Sequence, residues 1–151
     1  ALDYLQKHLR ILSGFYGILR AFDGVVPYRL EMQARLACEG YKNLYAFWNS
    51  LLYCELTRDD REVLNLASKE YSKAVEPYVK DEVRFVTCVF GTYVNGKLKV
   101  KATEAKMARG EMVRLCAENN VQYVDEVKAF NVRGYVYDEE LSSETEFVFV
   151  K

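Results

Sequence analysis

The stretch Thr103 to Glu118 (TEAKMARGEMVRLCAE) constrains the fold most, because it carries a helical apolar stripe with a charge set into it. At 100° per residue, Ala105, Ala108, Met112, Leu115 and Cys116 fall on one side. Glu104, Met107, Glu111, Arg114 and Glu118 fall on the other. The apolar side faces a core. Arg109 lies in that same sector, between Cys116 and Val113. A guanidinium cannot shed its proton, and it loses several kcal/mol of hydration if it is buried unpaired. Arg109 therefore needs either an internal carboxylate or an anionic ligand in a cleft, and the pattern leaves both open.

A chain of 151 residues can bury one real core, so one domain or part of one is expected. Half the residues are hydrophobic and 28% are charged, which excludes intrinsic disorder. The formal net charge is −1, so no global positive field recruits nucleic acid, and such binding needs a local basic patch. No apolar run approaches the roughly 18–20 residues that span a bilayer, so no membrane partner is expected, nor a signal peptide. Cys38, Cys54, Cys88 and Cys116 lie in apolar or periodic stretches without CxxC spacing, so buried free thiols in a reducing cytoplasm are expected. With His8 the only histidine, a His-rich iron or zinc site is excluded, and no cofactor is expected. His8 itself reads as a helix-end surface residue rather than a general base.

The chain starts at Ala1 directly in helix-like sequence, which suggests part of a longer protein. Leu2 to Leu9 reads as a short helix, and Arg10 to Ser13 either extends it or starts a strand. Gly14 and Gly17 mark a tight turn. Phe22 to Met32 reads as an ordered loop leading into extended chain, with Tyr28 and Leu30 on one face and Arg29 and Glu31 on the other. Asn43 to Leu56 reads as one buried helix capped by Asn43, being apolar nearly all round. Val63 to Ala67 is a short buried strand. Ser68 then caps a helix over Lys69 to Val75, and Pro77 ends that segment. Val83 to Tyr93 pairs with Lys97 to Lys101 across Asn95-Gly96, the strongest turn signal in the chain. After the Arg109 helix come a shorter helix near Val121 to Lys128 and a hairpin of Gly134 to Tyr137 with Phe147 to Val150. The fold class is α+β: a mixed β-sheet with hairpins packed against several helices.

Three places are candidate sites. Lys106 and Arg109, three apart on one helix, could grip one anion with Gly110 allowing close approach; the structural alternative is an internal salt bridge plus a snorkelling lysine. At the junction Asn65 to Tyr71, a helix N-terminus after a strand could bind phosphate or carboxylate, although capping alone explains Ser68. Arg29 and Glu31 project together, as a site pair or as a weak surface pair. Twelve tyrosines and eight phenylalanines raise the question of base stacking. Most occupy core-like positions, and Tyr16, Tyr28 and Tyr71 stand apart because they sit beside the glycines and charges above. No P-loop, GxGxxG, GxSxG or HExxH motif is present.

HLRILSGFYGILR, the following Asp23 and PYRLEM span His8 to Met32. With NLYAFW (43–48), NLASKEY (65–71), AKMARGEMVR (105–114) and the closing FNVRGYVYDEE and FVFVK, they closely resemble the YaaA family. The resemblance covers essentially the whole chain. Each fragment is weak alone, but the ordered set is specific. The positions that match are Ser13, Gly14, Tyr16, Gly17, Arg20, Asp23, Tyr28, Arg29, Glu31, Asn65, Ser68, Tyr71, Lys106 and Arg109. Ala21 departs from the family, which usually has proline there. Family members are longer at the N-terminus, so the resemblance implies the C-terminal portion of a single, incomplete YaaA-type domain. An opening strand and a helix-hairpin-helix-like element linked to DNA binding would precede Ala1.

The resemblance further implies a bacterial cytoplasmic protein of the peroxide stress response. Such a protein protects DNA and protein by limiting free iron, and has a positively charged cleft that binds DNA; it establishes no reaction. The expected partner is DNA or a nucleotide-like anion. It would be held by Arg20, Tyr28, Arg29, Glu31, Ser68, Tyr71, Lys106 and Arg109. The alternative is an enzyme acting on a nucleoside, nucleotide or damaged base in the same cleft, with Arg109 holding an anionic group and Glu31 or Glu70 as acid or base. Direct iron binding by Asp, Glu and Tyr oxygens is a third, weaker reading.

Overall fold

The computed structural model describes all residues, Ala1–Lys151, and divides into two compact units. One comprises Leu2–Arg61 and Ala67–Val83; the other comprises Glu62–Leu66 and Arg84–Lys151, with Ala1.

The first unit opens with helix α1 (Leu2–His8), on which His8 is exposed and stacks on Tyr4 with ring centroids 4.4 Å apart. Strands β1 (Arg10–Ser13) and β2 (Gly17–Arg20) form an antiparallel hairpin, so Arg10 to Ser13 starts a strand. Its turn is tightly packed. Gly17 has φ +78°, and a Cβ there would meet the Trp48 ring at 2.7 Å, so only glycine fits. The Trp48 indole N–H donates to the Gly14 carbonyl at 3.1 Å, tying the turn to the next helix.

The expected single helix over Asn43 to Leu56 is two: α2 (Leu44–Trp48) and α3 (Leu51–Leu56). Asn43 caps α2 as expected, its side chain accepting from the Ala46 N–H at 2.9 Å. The break falls at Asn49, which adopts φ +47°, a left-handed conformation that ends helices and that asparagine tolerates. Breaking the axis also turns Leu51 (61% exposed) and Cys54 outward, so this segment is not buried all round.

Residues 21–43 contain no helix or regular strand, so the extended YRLE run is not a strand. Met32 is fully buried and anchors this long connection. Gly14 makes the anchoring possible: a Cβ there would stand 2.9 Å from the Leu30 carbonyl oxygen. Helix α4 is only Lys69–Ser72, followed by a 3₁₀ turn at Glu76–Tyr78 that contains Pro77.

The second unit is a mixed five-stranded sheet, with β3 (Glu62–Asn65), β4 (Arg84–Val94), β7 (Glu146–Val150) and β6 (Val136–Asp138) side by side in that order, and β5 (Lys97–Lys99) pairing β4. β3–β4 and β4–β7 are parallel; β6–β7 and β4–β5 are antiparallel. Asn95 and Gly96 both take positive φ, the geometry of a two-residue hairpin turn. Cys88 lies opposite Phe147, and Phe90 opposite Phe149, so these four share one face. Helix α5 (Ala102–Glu118) packs against β4 and buries Ala105, Ala108, Met112 and Cys116, the stripe read from its periodicity. The shorter helix expected after it is a 3₁₀ segment, Val124–Ala129. Arg84 clamps it to the sheet, meeting Asp125 at 2.5 Å and Glu62 at 3.1 Å.

No helix is long and apolar enough to cross a membrane. Cys88 and Cys116 are buried, Cys38 is half-buried, and Cys54 is exposed, contrary to the expectation of four buried thiols.

Candidate functional site

In the first unit the hairpin turn and the irregular connection build one polar and aromatic cluster. Ser13 ends β1 with its side chain buried. Its hydroxyl accepts from the Tyr16 N–H at 3.0 Å and the Phe15 N–H at 3.3 Å, and hydrogen-bonds the Tyr28 phenol. The Tyr16 oxygen accepts from the Val26 N–H at 2.9 Å. Two residues in the turn therefore hold both ends of the Val26–Tyr28 segment.

Tyr71, on α4, reaches the same connection. Its pKa is raised, first by burial, then by Glu70 and Tyr28, and also by Glu31, while a backbone hydrogen bond with Met32 opposes the shift. The Glu70 carboxylate accepts from the Gln33 N–H at 3.3 Å. Tyr45 on α2 donates to the Glu70 carbonyl at 2.8 Å, and its pKa is raised by burial, then by Glu70 and Tyr71. Tyr28, Glu31 and Tyr71, drawn from segments distant in sequence, are thus neighbours. Phe15 and Glu70 join them although the sequence reading gave Phe15 no role. The signal for Phe15 was its place between two glycines at a turn tip, where an aromatic ring has no core to enter.

The other members are more dispersed. Arg29 and Glu31 are exposed and form no ion pair with each other, so the expected side-by-side pair does not form. Without the pleat of a strand, alternate residues need not share a face. Arg20 is exposed at the far end of β2, and its N–H is capped by the Asp23 carboxylate at 2.7 Å. Ser68 occupies the N-cap position of α4 but makes no side-chain cap bond, which corrects the capping explanation of this residue. The Tyr71 N–H, which such a cap would take, bonds the Ser68 backbone carbonyl at 3.0 Å instead.

Lys106 and Arg109 belong to the second unit. Lys106 is exposed on α5, and the position beside Gly110 is open. Arg109 is half-buried against the sheet, its Nε buried without any hydrogen-bond partner. Burial lowers its pKa, opposed by the Cys88 thiol of β4. Arg109 takes part in none of the ion pairs, so the internal salt bridge is not what holds it. No three His, Cys, Asp or Glu side chains gather closely enough to hold a metal ion.

The chain is of the α+β class, with a mixed five-stranded sheet and a separate two-stranded hairpin. A family profile described as "Peroxide stress protein YaaA" matches residues 1–141, and the chain belongs to this family. It is 55% identical over 150 residues to a "UPF0246 protein" of Pediococcus pentosaceus, covering 99% of this chain and 60% of that one. A "UPF0246 protein" of Limosilactobacillus reuteri is 55% identical over 148 residues, covering 98% and 59%. One from Ligilactobacillus salivarius is 52% identical over 151 residues, covering 100% and 61%. The chain thus spans about 60% of the length of these curated relatives.

Proposed function

We propose that this chain is part of a cytoplasmic peroxide-stress protein that binds DNA or a nucleotide-like anion through exposed and half-buried cations. In that role it protects DNA and protein from oxidative damage, with iron limitation as its cellular effect. The observation that carries the reading is Arg109, a permanent charge held against a sheet with its Nε unsatisfied. A charge in that state gains most from an anion that arrives from outside. Lys106, one turn away and exposed, adds a second cation that can follow it. Family membership supports the peroxide-stress role. Nucleic-acid binding by such contacts weakens steeply with salt, by about 0.9 logarithmic units in affinity per logarithmic unit of salt for each phosphate neutralised. Fluorescence anisotropy of a labelled duplex across a salt series, with this chain and with a full-length relative, tests it. Salt-insensitive binding, or none by the full-length protein, sinks it.

The alternative is an enzyme acting on a nucleoside, nucleotide or damaged base. Tyr71, surrounded by Glu70, Tyr28 and Glu31, supports it, because carboxylates and phenols gathered at one place suit proton transfer. Incubating purified protein with nucleotides and damaged oligonucleotides, followed by mass spectrometry, tests it. Unchanged substrates throughout count against it.

A further inference from the structure

We propose that Phe15 and Tyr28 form a stacking platform for an unpaired nucleobase, which deepens the nucleic-acid reading above and rests on it. Phe15 is 58% exposed at the tip of the β1–β2 turn, and Tyr28 is 43% exposed. Their ring centroids are 5.4 Å apart with planes inclined by 33°. Tyr16 stands edge-on to both, at 88° to Phe15 and 76° to Tyr28. Tyr28 is fixed from behind by Ser13, and the edge-on Tyr16 by the Val26 N–H. Rings held this way lose little freedom when a ligand arrives.

The spacing decides how a ligand sits. A base inserted between the rings would need two contact separations of about 3.5 Å each, more than the gap allows. The base must therefore stack on an outer face. A paired base in a duplex has both faces covered by its neighbours, so the platform selects a base that is unpaired or flipped out. Charge selects a polyanion over an apolar peptide. Residues 9–31 carry three arginines against Asp23 and Glu31, and the Asp23 carboxylate is engaged with the Arg20 N–H. Neither Arg20 nor Arg29 has an ion-pair partner.

The test uses the 151-residue chain and two DNA duplexes that differ by a single bulged 2-aminopurine. Expected is roughly tenfold tighter binding to the bulged duplex, in line with the worth of one stacked base, with quenching of the 2-aminopurine fluorescence. Phe15→Leu should lose both the preference and the quenching, and Phe15→Trp should retain both. Equal binding of the two duplexes by the parent protein, or a preference that survives in Phe15→Leu, overturns the platform and leaves the broader reading standing. Binding of neither duplex overturns both. A concentration-dependent dimer in sedimentation that disappears in Phe15→Leu would assign the patch to a second copy of the chain and overturn the platform.

Discussion

The Tyr28 phenol hydrogen-bonds the buried hydroxyl of Ser13, fifteen residues earlier in the chain. One side chain thus closes the turn locally, through the Phe15 and Tyr16 N–H groups, and fastens the irregular connection at long range. Removing the hydroxyl in Ser13→Ala strands both N–H groups and the phenol together. Leaving buried polar groups unsatisfied costs about 1–3 kcal/mol, whereas Tyr28→Phe loses a single bond worth about 1 kcal/mol. Urea unfolding should show Ser13→Ala as the more destabilised of the two; the reverse order would mean the turn does not depend on Ser13.

Arg109 gives the opposite expectation for a buried charge. Because its Nε has no partner, Arg109→Met removes a desolvation cost and no ion pair. Stability should stay level or rise by about 1 kcal/mol. Nucleic-acid affinity should fall, with the salt slope reduced by about 1. A loss of 3 kcal/mol or more in chemical unfolding would reveal an internal partner and refute the reading.

The cysteines should respond to oxidant in a fixed order. Burial pushes the Cys116 thiol up to about 11, and burial first, then Cys116, pushes Cys88 higher still, with Arg109 opposing. Thiolate is the species that peroxide and alkylating agents attack, so both should remain reduced in the folded protein. Cys54, exposed on α3, should be modified first. Peptide mass spectrometry after brief hydrogen peroxide treatment checks the order, and early oxidation of Cys88 would contradict it.

Acid should loosen the second unit through Asp125. Hydrogen bonds from Arg84 and then Lys128 hold its carboxyl well below the ordinary value of 3.8, against desolvation. A depressed folded-state pKa stabilises the fold above the unfolded value. That contribution is lost as pH falls from about 3.8 towards the lower folded value. Asp125 is 47% exposed, so the contribution is of order 1 kcal/mol or less. Asp125→Asn should flatten this acid limb in melting curves from about pH 4 down to about pH 2 and leave stability above it only slightly reduced. An unchanged limb would show that other carboxylates set it.

Local chemistry alone determined much of this protein. The apolar stripe of α5, the Asn43 cap and the Asn95-Gly96 hairpin depend on neighbours a few residues away, and each formed where the sequence placed it. The mixed α+β class followed from the order of those elements. The tertiary structure decided what depends on distant partners. It broke the apolar run at Asn49 and left Ser68 without a cap bond. It also joined Tyr28 to Ser13 and brought Tyr71 among Glu70, Tyr28 and Glu31. Arg109 needed both: periodicity marked it as a charge in an apolar sector, and only packing against β4 left its Nε without a partner. Periodicity reports which side of a helix is apolar, whereas the satisfaction of a polar atom depends on which groups the rest of the fold brings within about 3 Å of it.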